Sequence, residues 1–90
     1  MEAGRRINIE VEYLGFVVKL TGKKEETFTL EGDFALQTLL QSILNRYQPT
    51  SLVRDNIIMA VNKKIVHPDG EKWFLCDGDR VSIGLKISGG

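Results

Sequence analysis

One cysteine, one histidine and two prolines are all that ninety residues hold of these types. A single thiol, Cys76, excludes an internal disulfide and a thiolate-rich zinc site, and it fits a reducing compartment. His67 stands alone, so most metal and general-base constellations lack their members. Placed before Pro68 in a loop, it reads as a surface residue. An excess of one charge is missing as well. Twelve basic and twelve acidic residues give a net charge of +0, and no global field draws the chain to nucleic acid or an anionic membrane. The pairs Arg5-Arg6, Lys23-Lys24 and Lys63-Lys64 read as solvated turn and terminus residues. No apolar run approaches the roughly 20 residues of a membrane helix, and no apolar stretch behind Arg5-Arg6 makes a signal peptide. The expectation is a soluble, cytoplasmic protein. Gly-rich phosphate loops, HExxH and Cys-x-x-Cys are all absent. Asp77-Gly78-Asp79 is first of all turn chemistry, and Cys76 reads as a small packed or half-exposed side chain. No catalytic centre, metal site or bound cofactor is expected.

What is present is strong patterning. Ninety residues make one domain, 1–90, with a modest core that buries about 60–65% of the unfolded surface. Ile7, Ile9, Val11 and Tyr13 alternate with Asn8, Glu10 and Glu12, which is a half-buried strand. Phe16 to Leu20 reads as its continuation or as a return strand. Thr21-Gly22-Lys23-Lys24 is turn material, and Thr27 to Leu30 is a strand that closes a hairpin. Asp33 is placed to cap a helix. Leu36, Leu39, Leu40, Ile43, Leu44 and Tyr47 form one apolar stripe at helical spacing, which Pro49 ends. Asn56 to Val61 is short and apolar enough for a central strand, and Ile65-Val66 fits a short partner across an Asn62-Lys63-Lys64 turn. The order β-β-α-β-(β)-β predicts an α+β fold. One main helix packs across a mixed four- to five-stranded sheet, with the strands at 7–13 and 80–87 as neighbours at its centre.

The carboxyl end is the unusual part. Val81, Ile83, Leu85 and Ile87 alternate with Arg80, Ser82, Lys86 and Ser88, and this strand pattern runs straight into Gly89-Gly90. At an average glycine usage of about 7%, a chain ends in Gly-Gly by chance roughly once in 200, so the pair asks for a reason. Five extended residues reach roughly 16 Å. Two glycines pass through a channel too narrow for other residues and leave the terminal carboxylate open to reaction. That geometry suits a group acted on by a partner's active site.

From Leu75 through Asp77-Gly78-Asp79-Arg80-Val81 and Ile83 to Ser88-Gly89-Gly90, the chain resembles the MoaD/ThiS sulfur-carrier family, the ubiquitin-like β-grasp proteins. The run Ile58-Met59-Ala60-Val61-Asn62 also resembles the family's central strand. The resemblance covers essentially the whole chain in element order, with 85–90 as an extended tail. It implies a non-catalytic carrier. A ubiquitin-activating-type (MoeB/ThiF-like) enzyme, with its own ATP and zinc, adenylates the Gly90 carboxylate, and sulfur then replaces an oxygen to give a thiocarboxylate. The acceptor implied is the large subunit of molybdopterin synthase, in molybdenum cofactor biosynthesis. Gly89 gives clearance, while Leu85, Lys86, Ile87 and Ser88 form the segment a partner grips. Leu85-Lys86 stands where the family often carries Pro-Pro.

A ubiquitin-related modifier, or a carrier for tRNA or thiamine thiolation, shares this chemistry. A β-grasp interaction module with an incidental Gly-Gly end is the alternative of another class. A partner is expected to touch an apolar surface on the sheet face beside the tail, with Phe74 and Trp73 as its exposed members.

Overall fold

Alternation at Ile7, Ile9, Val11 and Tyr13 produces the first strand, β1 (Arg6–Tyr13), with all four side chains buried. The structure is a computed structural model that describes residues 5–67, 70 and 72–86. After β1 come α1 (Phe16–Thr21), β2 (Glu25–Glu31), α2 (Leu36–Tyr47), α3 (Ser51–Arg54), β3 (Ile57–Val61), β4 (Lys64–Val66) and β5 (Arg80–Leu85). The five strands form one mixed sheet in the order β2-β1-β5-β3-β4. β5 lies at its centre, parallel to β1 and antiparallel to β3, with Val11 opposite Val81 and Met59 opposite Ile83. The two strongest strand patterns in the sequence are thus neighbours, and β3 sits one place out from the middle. This is the β-grasp arrangement expected from the sequence.

One face of the sheet carries the core. Ile9, Val11, Met59, Val81 and Ile83 are sealed under Leu36, Leu39 and Ile43 of α2. At about 25 cal/mol per Å² of apolar surface, burying one such side chain contributes roughly 1.5–3 kcal/mol. No helix among the described residues is long and apolar enough to cross a membrane.

The stretch Phe16 to Leu20 is neither a continuation of β1 nor a return strand; it is helix α1. Gly15 takes a φ of 56°, which turns the chain out of β1. The next turn is closed by Val17 N–H to Leu14 O and Val18 N–H to Gly15 O, both at 3.1 Å. Val17 enters the core and anchors the turn. The cap of α2 also differs from expectation. The helix starts after Ala35, without a side-chain cap, because Asp33 lies two residues before the cap position. Its carboxylate instead accepts from Ala35 N–H (3.1 Å) and the Thr38 hydroxyl (2.8 Å). These bonds hold its carboxyl below the usual aspartate range. The first helical N–H, Leu36, is satisfied by Trp73 O at 2.8 Å. Helix α3 is a single turn capped by Thr50, whose hydroxyl accepts from Val53 N–H.

Candidate functional site

β5 carries the carboxyl end to the rim of the sheet. Tyr13, the last residue of β1, pairs with Ile83, and Ile57, the first of β3, pairs with Leu85. Neither neighbour follows β5 further. The final ties are Leu14 N–H to Ile83 O (2.8 Å) and Lys86 N–H to Asn56 O (2.7 Å). Leu85 is half-buried beside the core, and Lys86 is exposed. Of the expected tail residues, Ile87, Ser88, Gly89 and Gly90 lie outside the described residues.

The Asp77-Gly78-Asp79 turn fixes the other end of β5. Asp77 Oδ1 accepts Asn8 N–H at 2.7 Å, while Asp79 accepts Asn62 Nδ2 at 3.0 Å and Cys76 N–H at 2.8 Å. Asn62 Oδ1 in turn accepts Arg80 N–H at 2.9 Å. Both carboxylates act as turn residues. Cys76 and His67 are exposed, and among the described residues no cluster of His, Cys, Asp or Glu is placed to hold a metal ion.

The structure separates Phe74 and Trp73 from the tail. Phe74 is 63% exposed, and Trp73 is half-buried with Lys64 Nζ 5.7 Å from its ring centre. Phe74 bridges to Ala35 at the start of α2, and Asp77 and Gly78 bond to Asn8 near the start of β1. Leu85 lies beyond the other end of β1. The two rings therefore flank the root of β5's turn, along a cleft of about 530 Å³ shared with Asp33, Gln37 and Lys72. They do not form the surface beside the tail.

That surface is made by other residues. On the sheet face away from α2, a shallow groove of about 370 Å³ opens between the end of β1 and the β5-β3-β4 side. Leu14, Phe16, Ile58 and Ile65 stand exposed around it, over a floor of Ala60, Ser82 and Gly84. The face changes character toward β2. Glu10, Glu12 and Glu25 project there, by their pairing with one another and with Arg80 and Ser82. The guanidinium of Arg80 lies 3.7 Å from Glu12 and 3.5 Å from Glu25. The outer face is thus apolar beside the tail and polar toward β2, with Glu10, Glu12 and Glu25 near Arg80. Sequence patterning alone missed this, since Leu14 and Phe16 flank the Gly15 turn and Ile65 lies in a strand of three residues.

Comparison with known proteins bears on the tail. The sequence model of the ThiS family matches residues 11–90. The human molybdopterin synthase sulfur carrier subunit is 29% identical over 82 residues, covering 91% of this chain and 93% of that protein. Among solved structures, a Haloferax volcanii protein superposes with a TM-score of 0.77 at 24% identity, covering 94% of this chain and 88% of its own. The small archaeal modifier protein 1 of Methanosarcina acetivorans gives a TM-score of 0.73 at 20% identity, over 97% and 100% of the two chains.

Proposed function

The chain belongs to the ThiS family of ubiquitin-like sulfur carriers, and on that premise we propose that it carries sulfur on the carboxyl group of Gly90. In the first step a carboxylate oxygen attacks the α-phosphorus of ATP in a partner enzyme, and pyrophosphate leaves. A sulfur nucleophile then attacks the acyl carbon, and AMP leaves with the former carboxylate oxygen. The product is a thiocarboxylate. This chain supplies the acyl group and no catalytic residue; ATP is the partner's substrate. The observation that carries the reading is the family match itself, which continues through residue 90 on a chain whose central strand remains hydrogen-bonded as far as Lys86. Because β5 is held in the middle of the sheet as far as Lys86, the residues that follow start from a fixed point, which lowers the entropic cost of entering a narrow site.

The acceptor we propose is the large subunit of molybdopterin synthase, on the strength of the human relative's name, in the cytoplasm. Attachment to a lysine would use the same activated carboxyl group, and the likeness to an archaeal modifier supports that reading only at the level of fold. The test is an intact mass of the protein from its own host, before and after incubation with ATP, a sulfur source and host extract. A gain equal to sulfur for oxygen, confined to the peptide ending at Gly90, is the expected result. An unchanged mass, while a known carrier is thiolated in parallel, overturns the reading.

A further inference from the structure

At the end of the sheet far from Leu85, residues 34–36 and 73–75 run antiparallel. They are joined by Leu36 N–H to Trp73 O and Leu75 N–H to Phe34 O, both at 2.8 Å. In such a pair the middle residue turns its own N–H and C=O away from its partner. For Phe74 both groups therefore face outward, and among the described residues neither is hydrogen-bonded. Its ring is 63% exposed, while Leu75 beside it is buried and Trp73 is half-buried. A short unpaired edge thus carries an exposed aromatic side chain next to the cleft of about 530 Å³. The surroundings are basic. Lys72 lines the cleft, Lys64 Nζ lies against the Trp73 ring, and the Arg5 guanidinium lies 5.9 Å from the ring centre of Phe34. Among the described residues none of these three cations is ion-paired. Asp33, the one described carboxylate of the cleft, already accepts from Ala35 N–H and the Thr38 hydroxyl. Asp69 and Glu71 lie outside the described residues.

We propose that this edge docks an extended acidic segment of a partner protein, which adds as a short strand along Phe74. The inference stands apart from the carrier reading. Two features select this occupant. The first is the pair of outward main-chain groups on Phe74, a template that an extended chain satisfies with its own N–H and C=O. An apolar side chain of the segment then covers the exposed ring. The second feature is charge. Lys64 and Arg5 are held against aromatic faces, which fixes where their charge is presented. Together with Lys72 they complement carboxylates on the incoming strand, and such complementarity sets its direction and makes binding salt-dependent. Position gives the site its use. Leu85 and Lys86 lie beyond the other end of β1, so a segment bound at Phe74 leaves them uncovered. One protein can hold this chain here while another engages its carboxyl end.

The test selects binders from a random peptide display library on the wild-type chain, with Phe74→Asp as the counter-selection. Recovered sequences are made as free peptides and titrated against the fluorescence of Trp73, the chain's single tryptophan. We expect acidic peptides with a β-branched or aromatic residue that shift this fluorescence and bind more weakly as salt is raised. Phe74→Asp and Lys64→Glu, both at exposed positions, should each weaken binding at least tenfold with the melting temperature held. Should Phe74→Asp fail to fold, Lys64→Glu serves as counter-selection and comparison alike. Recovery of no acidic peptide, or equal affinity of wild type and a folded variant, overturns the site. Polyuridylate RNA that binds more tightly than every peptide, and is lost in the same variants, overturns it in favour of nucleic acid. A wild-type dimer that dissociates in the variant overturns it in favour of a second copy as the occupant.

Discussion

At the scale of single residues, Glu26 binds together more of the molecule than any sequence pattern suggests. Its side chain is only 6% exposed. It accepts from Tyr13 Oη (2.5 Å), Tyr47 Oη, Lys23 Nζ and Arg46 Nη1 (2.8 Å each), so one carboxylate joins β1, β2, α2 and the turn after α1. The two tyrosine rings meet edge to face at 6.2 Å. Burial works against the charge, but hydrogen bonds from Lys23, Tyr13 and Tyr47 outweigh it and hold the carboxyl at about 2. The Tyr13 phenol is pushed up above its usual range, first by its own burial and then by Glu26. A carboxyl with a lowered folded-state pKa stabilises the fold above its unfolded value. That contribution is lost as pH falls from about 4.5 toward about 2. Glu26→Gln should therefore cost roughly 1–3 kcal/mol near neutral pH. It should also remove part of the stability loss between those two pH values. Urea unfolding across that range checks both, and parallel curves for the two proteins would sink the assignment. The partners lie 13 to 21 residues from Glu26, Lys23 excepted. Only the folded sheet brings them together, so the sequence showed a strand glutamate and nothing more.

At the scale of elements, the tight turn between β3 and β4 offers a direct test of backbone strain. Asn62 and Lys63 both take positive φ, 50° and 74°, between the paired residues Val61 and Lys64. Two-residue hairpin turns of this kind favour Asn-Gly, and lysine at the second place bears a steric cost. Lys63→Gly should raise stability by roughly 0.5–1 kcal/mol, net of the glycine's extra unfolded-state entropy. A thermal melt of the two proteins decides it, and a lower melting temperature for the variant would refute the strain. Elements that depend on their own periodicity were legible in the sequence. The stripe from Leu36 to Tyr47 became α2, and the alternations at Ile7–Tyr13 and Val81–Leu85 became β1 and β5. Helix α1 was not legible. Phe16-Val17-Val18 is β-branched and aromatic, which reads as strand by local preference. It turns helical because the chain must cross from the end of β1 to the start of β2 while seating Val17 in the core. The single turn of α3 was missed because its cue, Thr50 before Ser51, is too brief to show a period.

For the molecule as a whole, the separation between core and tail decides how the carrier reading can be tested by truncation. The buried core ends at Ile83, and the last described tie to the sheet is the Lys86 N–H bond to Asn56. The terminal Ser-Gly-Gly raised the expectation of a tail, and Ile87 to Gly90 lie outside the described residues. The surface beside it was not legible, because its members are drawn from β1's exit, α1, β3, β4 and β5. Trp73 and Phe74 are the aromatic pair nearest the tail in sequence, but the parallel pairing of β1 and β5 carries them to the far end of the sheet. Since neither Gly89 nor Gly90 contributes a side chain to the core, deleting both should change the unfolding free energy by less than about 0.5 kcal/mol. Thiocarboxylate formation and sulfur transfer should fall to zero, since the acyl group now belongs to a serine that lacks the reach of two residues, roughly 7 Å. Chemical unfolding and intact mass read the two quantities on one preparation. Retained sulfur transfer by the truncated chain would show that Gly90 is not the carrier group. Loss of the fold would show that the tail is part of the sheet's stability and not a separate working end.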